Sequence, residues 1–318
     1  MGKKIIVLGA DFSANGFNTA NIVNIQLKSG ETNPYKLYFL PTPLTYDSNV
    51  NTMPEAPNDA VLESIYSDGE YNIGGSNYLS FLFGRDSTDV DKKTVDYIGV
   101  NYDSQTIDDV NQSFMGIIAG TIDLRGVKFG TSVDARKMFA HSTFDNLLMP
   151  DMDIYGANYM FYNYCSEKTG IHADFSFIKK LGGDCQRMFN FLKCDTADFG
   201  APDLTGGTDF MNLFRQSTME EIDLSGWVFP NVRLGALFYG CSKLKTIHLD
   251  NWLVSADDGA KYASIFDGCT LLEKVFVTNC SAGAKTWLLT QLNTQTAGGV
   301  TNWTESTVDG KACLIHGS

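Results

Sequence analysis

Seven phenylalanines recur down the middle of this chain at near-even spacing, and that period constrains the fold more than any other feature. They are Phe114, Phe139, Phe161, Phe189, Phe214, Phe238 and Phe266, separated by 25, 22, 28, 25, 24 and 28 residues. An apolar partner precedes most of them: Met138, Met160, Met188, Leu213, Leu237, Ile265. Some eight to ten residues later comes an apolar dyad or triad, as in Ile122-Asp123-Leu124, Leu147-Leu148-Met149, Ile222-Asp223-Leu224, Ile247-His248-Leu249 and Val275-Phe276-Val277. A strand-like triplet repeated at this period predicts a solenoid of stacked coils.

One coil cannot bury its Phe and its aliphatic triplet alone, so neighbours must stack to share a core. Alternation within each triplet turns Ile222 and Leu224 inward and Asp223 outward. The outward row is then Asp123, Asp223, His248 and Phe276, a mixed face without a concentrated catalytic set. The expected fold is mainly β with short helical turns: a leucine-rich-repeat solenoid with a parallel strand ladder.

The clearest units are Leu237-Phe238-Tyr239-Gly240-Cys241-Ser242-Lys243-Leu244 leading into Ile247-His248-Leu249-Asp250-Asn251-Trp252, and Leu213-Phe214 leading into Ile222-Asp223-Leu224-Ser225-Gly226-Trp227. They resemble the BspA-like repeat of bacterial surface proteins, in which a Met-Phe-x-x-Cys-x-x-Leu core runs into a Leu-Asp-Leu-Ser-x-Trp strand. The resemblance covers residues 108–280 and is closest over 208–280. It implies a surface for holding a partner, and a bacterial cell-surface or secreted adhesin as one function.

Three regions are expected: a small, mostly β attachment domain over 1–107, the solenoid over 108–280, and a cap over 281–318. Strands are predicted at Lys4–Leu8, Val23–Leu27, Lys36–Leu40, Tyr78–Phe83 and Val95–Tyr102, with a long loop over Asp47–Asp59 and a short helix over Asp59–Tyr66. The apolar run Ile5 to Leu8 is too short for a signal-peptide core and reads as a first strand. Near the other end, Trp287, Leu288 and Leu292 have helical spacing over Ala284–Gln295, and Trp303 with Ala312-Cys313-Leu314-Ile315 predicts a hairpin. The last coil needs such a lid, since its core face would otherwise meet water.

Net charge is −13, and no Lys/Arg cluster exceeds a pair, which argues against nucleic acid and against an anionic membrane. No apolar run is long enough to insert in a bilayer. The seven cysteines contain no Cys-x-x-Cys pair, so neither zinc nor a full disulfide framework is expected. Cys241 and Cys269 fall three residues after the anchor Phe, where other units place Ser142 and Ser217; Cys165 falls four after. A small buried residue is wanted there.

Catalysis requires converging titratable groups, and His141, His172, His248 and His316 are scattered, so no cofactor or metal site is expected. The acidic stretches Asp86–Asp91 and Asp257-Asp258 lack EF-hand spacing and read as solvated loops. A strand followed by Gly9-Ala10-Asp11-Phe12-Ser13 faintly suggests an esterase nucleophile at Ser13, but the Asp-x-x-His partner is missing. The same start resembles that of virion proteins of phages infecting gut Bacteroidetes-type bacteria, where a Lys-rich strand leads into Asp-Phe-Ser-Ala-Asn. That resemblance implies a docking segment (Asp11, Phe12, Asn15) that joins other virion proteins and carries a variable distal domain.

The leading expectation is thus a non-enzymatic virion structural or recognition protein, fibre- or tail-associated. Its solenoid would present a face to a host surface protein or glycan. Tyr155, Tyr159, Tyr162 and Tyr164 are candidate anchors for it, the alternative for them being packing between irregular units, with Asp223 and His248 on the outward strand row. A homo-oligomer is compatible with this reading.

Overall fold

The structure is a computed structural model that describes residues 5–7, 22–27, 35–39, 61–65, 69–72, 94–165, 169–229, 232–252 and 262–316. The docking segment (Asp11, Phe12, Asn15), Ser13, the expected strand at Tyr78–Phe83, the Asp47–Asp59 loop and both acidic stretches lie outside them. The chain forms two compact units, Met1–Pro150 and Asp151–Ser318.

In the first unit the strands are β1 (Ile5–Val7), β2 (Ile22–Leu27), β3 (Tyr35–Phe39), β4 (Val61–Ile65), β5 (Gly69–Asn72), β6 (Thr94–Asp109), β7 (Ile118–Asp134) and β8 (Thr143–Leu148). A sheet runs in the order β1-β5-β2-β6-β7, with β8 also on β7. The long β6 joins two kinds of structure, pairing antiparallel with β2 and parallel with β7. Val95, Ile98, Val100 and Tyr102 on it are buried. The helix expected over Asp59–Tyr66 is instead the strand β4, paired antiparallel with β3 from Tyr35↔Ile65 to Phe39↔Val61. The β-branched Val61 and Ile65 suit a pleated ribbon, and a cross-strand ladder overrides the weak helical pattern.

The unit ends with the first two anchors. Phe114 and Phe139 stack at 5.6 Å, and Phe144 meets Phe139 edge-on at 5.5 Å. The strand pairs β6–β7 and β7–β8 are parallel, as a solenoid requires.

The second unit holds β9 (Met152–Ile154), β10 (His172–Asp174), β11 (Ile178–Leu181), β12 (Gly183–Asp184), β13 (Thr196–Asp198), β14 (Gly207–Asp209), β15 (Glu221–Asp223), β16 (Thr246–His248), β17 (Lys274–Phe276), the helix α1 (Ala282–Thr294), β18 (Trp303–Val308) and β19 (Lys311–His316). Each coil contributes short strands to several parallel ladders: β9 with β11, β10 with β13, β12 with β14, and β15 with β16 and β17. The chain is a parallel-strand solenoid.

Its axis is a column of rings. Phe161 and Phe189 stack at 5.6 Å, Phe189 and Phe214 at 5.2 Å, Phe214 and Phe238 at 5.9 Å, and Phe238 and Phe266 at 6.0 Å, each pair within 14° of parallel. Phe175 and Phe199 wedge between them, Phe175 at 4.6 Å from Phe161 and 4.8 Å from Phe189, Phe199 at 5.2 Å from Phe189 and 5.0 Å from Phe214. All of these rings are buried, which places the largest apolar area of each coil out of water.

The turn that carries the anchor solves a geometric problem. A strand would throw one of two successive side chains outward, yet Met188 with Phe189, Leu213 with Phe214 and Leu237 with Phe238 are all fully buried. Every anchor is flanked, two residues before and two after, by a left-handed residue: Gln112 and Gly116, Lys137 and His141, Tyr159 and Asn163, Arg187 and Phe191, Asn212 and Gln216, Ala236 and Gly240, Ser264 and Gly268. Successive N–H groups then alternate in destination. Tyr162 N–H donates within its own coil to Tyr159 O, whereas Phe161 N–H donates to Met188 O of the next coil at 2.8 Å. The same bonds recur from Phe189 to Leu213, Phe214 to Leu237 and Phe238 to Ile265, each at 2.9 Å. From Phe161 to Phe266 each coil is therefore joined to the next by a second backbone ladder as well as by its strands.

The Ser/Cys position completes this turn. Cys241 donates its thiol to Phe214 O at 3.0 Å, and Cys269 to Phe238 O at 3.1 Å; Ser142 does the same to Phe114 O. The expected small buried residue is thus also a donor to the preceding coil. All seven cysteines are buried and outside any disulfide, and burial pushes the thiols of Cys194 and Cys269 up to about 12.

The last coil is closed by α1 and the β18–β19 hairpin. Ser281 accepts the Ala284 N–H at the helix start, and Ala284, Trp287, Leu288 and Leu292 are buried. Trp287 meets Trp252 and Tyr262, and β19 runs antiparallel to β17, covering its open edge. Among the described residues no helix is long and apolar enough to cross a membrane.

Candidate binding surface

The strand row chosen from sequence is built for structure. Asp223 is exposed, but its carboxylate accepts the Ser225 N–H at 2.8 Å, closing the corner after β15. Asp174 with Ser176, Asp198 with Gly200 and Asp209 with Met211 repeat that turn. Much of the acidity of this unit therefore sits at coil corners. His248 is not the open residue that alternation suggests: its side chain is 14% exposed, with Nε2 at 3.1 Å from Glu221 and its ring stacked at 4.5 Å on Phe276. Phe276, expected outward, is buried beneath that ring and beside β19.

The four tyrosines separate. Tyr164 is buried, edge-on to Phe161 at 5.5 Å and to Phe175 at 6.1 Å, so it belongs to the core and not to a binding face. Tyr155 is 64% exposed and lies over the backbone of Gly182 and Gly183, where an added Cβ would come within 3.5 Å of its ring. Tyr159 and Tyr162 are half-buried and meet edge-to-face at 5.2 Å. Burial pushes the Tyr162 hydroxyl above its ordinary range.

Tyr159 and Tyr162 open onto residues that sequence reading did not single out. They occupy the turn beside Phe161, and the next coils set equivalent turn positions next to them. Phe191 meets Tyr162 edge-on at 5.5 Å. Arg187 lies over the Tyr159 ring at 5.2 Å and donates to its hydroxyl; Arg215 lies over Tyr239 at 4.9 Å. All are half-buried, so the panel offers ring faces and guanidinium edges together. The signal was present in the sequence as positions counted from the anchor: two before, one after and two after. From Tyr159 to Gly240 none of those positions carries Asp or Glu.

Neither guanidinium has a carboxylate within ion-pair distance among the described residues, unlike Arg125 on Asp123 or Arg233 on Asp209. Arg215 reaches only Asn212, at 3.5 Å, and its Nε has no partner. Among the described residues no group of three or more His, Cys, Asp or Glu is placed to hold a metal ion. No protein-family model, curated protein or solved structure matches the chain.

Proposed function

We propose that this protein is a non-catalytic recognition protein carried on a phage particle as a fibre- or tail-associated component. Its N-terminal part docks to the other virion proteins, and its solenoid holds a host receptor. The observation that carries this reading is the panel of half-buried Tyr, Phe and Arg on rigidly stacked coils. Tyr and Arg dominate interface energetics because they bury large areas with little loss of side-chain freedom. A stack joined by two backbone ladders presents them without an ordering cost on binding. The virion assignment rests on the resemblance of the chain start, and the repeat's resemblance to bacterial surface proteins supports a cell-surface adhesin as the second reading.

The test pairs location with binding. Fluorescent full-length protein should label a subset of a panel of gut bacteria, and Tyr162→Ala with Tyr239→Ala should weaken labelling without changing the fold. Antibody should decorate purified phage particles. Labelling indifferent to the panel substitutions would remove the recognition reading. Protein found on the envelope of uninfected bacteria, with none in particles, would replace virion by adhesin.

A further inference from the structure

We infer that the ligand of this panel is a glycan carrying carboxylate groups, an acidic polysaccharide built from uronic-acid-type sugars; the inference rests on the recognition reading above. Three observations point there. The first is charge: Arg187 and Arg215 hold two cations that pair with no carboxylate among the described residues, in a chain of net charge −13. Their positions are otherwise free of acids, while Asp184 and Asp209 stand at the coil corner five residues before each anchor. A fixed guanidinium edge with unspent donors fits a carboxylate.

The second is the arrangement of rings. Tyr159 and Tyr162 share one coil and Phe191 is on the next, with ring contacts of 5.2 and 5.5 Å, and Tyr239 follows two coils further on, beyond the coil that carries Arg215. Flat apolar ring faces suit the C–H faces of pyranose rings, and each further coil brings either a ring or a guanidinium. A linear polymer laid along the stack then meets aromatic and cationic positions in turn.

The third is preorganisation. Stacking on Tyr159 and Tyr239 holds both guanidinium planes before any ligand arrives, and the turn backbone beneath is tied to its neighbours by the second ladder, with Asn163 N–H to Asn190 O at 2.8 Å and Phe191 N–H to Arg215 O at 2.9 Å. Loss of one charge-assisted contact should lower affinity by about tenfold.

The experiment is affinity electrophoresis and calorimetry of the full chain with polygalacturonate, dextran and dextran sulfate as probes. An acidic protein is repelled overall by a polyanion, so retardation by polygalacturonate reports a local site. We expect polygalacturonate to bind, dextran to bind more weakly, Arg187→Gln and Arg215→Gln each to lose about tenfold, and Arg125→Gln to change nothing. Unchanged thermal midpoints keep the comparison free of folding effects, and Tyr239→Ala, which releases Arg215 from its stack, should weaken binding as well. Equal binding of dextran, or retention by dextran sulfate alone, would overturn the carboxylate while leaving a glycan-binding face. Absence of binding to any polymer, with cell labelling still lost in the arginine variants, would overturn the glycan and leave the recognition reading. Cell labelling unaffected by those variants would bring down both.

Discussion

Replacing Ala236 with Gly should stabilise the protein, against the usual sign of that substitution. Ala236 stands two residues before Phe238 at φ 55°, half-exposed, with its N–H donating to Ala263 O at 2.7 Å and its carbonyl accepting from Tyr239 at 3.2 Å. A left-handed residue with a Cβ costs about 1–2 kcal/mol that glycine does not incur. Glycine in turn loses about 0.5–1 kcal/mol more backbone entropy on folding than alanine. Both hydrogen bonds survive, so the net is a gain of about 0.5–1 kcal/mol. The mirror experiment is Gly268→Ala. At φ 79° its new Cβ would stand 3.1 Å from the Gly240 Cα of the preceding coil, backbone that cannot swing aside, so strain and crowding add. A loss of about 2 kcal/mol is expected. Urea titration followed by circular dichroism, with calorimetry, reads both; about 2–4 °C per kcal/mol applies to a unit of this size. If Ala236→Gly destabilised by the ordinary half to one kcal/mol (about 0.5–1), the left-handed turn would be wrong, and with it the second ladder.

Phe214→Ala, which removes the middle ring of the buried column between Phe189 and Phe238, should cost about 3–5 kcal/mol, read by the same titration; a cost below about 1 kcal/mol would mean the column contributes little. Ser142→Ala strips the buried Ile117 N–H of its acceptor, at 3.1 Å, and the Phe114 carbonyl of a donor, so about 1–3 kcal/mol is lost, while Ser142→Cys should recover part of it. Native protein should resist alkylation at every cysteine, since all are buried and burial disfavours the thiolates of Cys185, Cys194, Cys241, Cys269, Cys280 and Cys313, and should label fully in denaturant; fast labelling at neutral pH would show that the coils open. Burial lifts the Asp209 carboxyl above its ordinary value of 3.8. It therefore binds its proton more tightly when folded, favours the native state at low pH, and loses that contribution as pH rises past the unfolded value. Asp209→Asn should gain stability relative to the parent as pH rises above about 4, and a difference independent of pH would refute this.

The period was readable because a coil that cannot bury its own ring must repeat it. Phe114 to Phe266, the inward Ile222, the capping helix and the final hairpin all follow from apolar spacing, and the structure places them as expected. The helix over Asp59–Tyr66 failed because eight residues of weak pattern do not outweigh a partner strand. Phe276 failed for another reason, since alternation assigns a side but not a cover, and Tyr164 because aromatic character alone does not separate an anchor from a packed ring. Tyr164 turns into the ring column, and Phe276 is covered by His248 and β19. Arg187 and Arg215 went unnoticed because residues 28 positions apart, such as Arg187 and Tyr159, meet only when their coils are stacked.

Periodic hydrophobicity by itself settled that the chain stacks coils around aromatic rings, because that demand is local and repeats in every unit. Which polar and aromatic side chains share the outer panel, and which are covered, was decided only by the tertiary structure. Left-handed turns set the direction of each side chain, and inter-coil hydrogen bonds set the register that brings distant residues side by side.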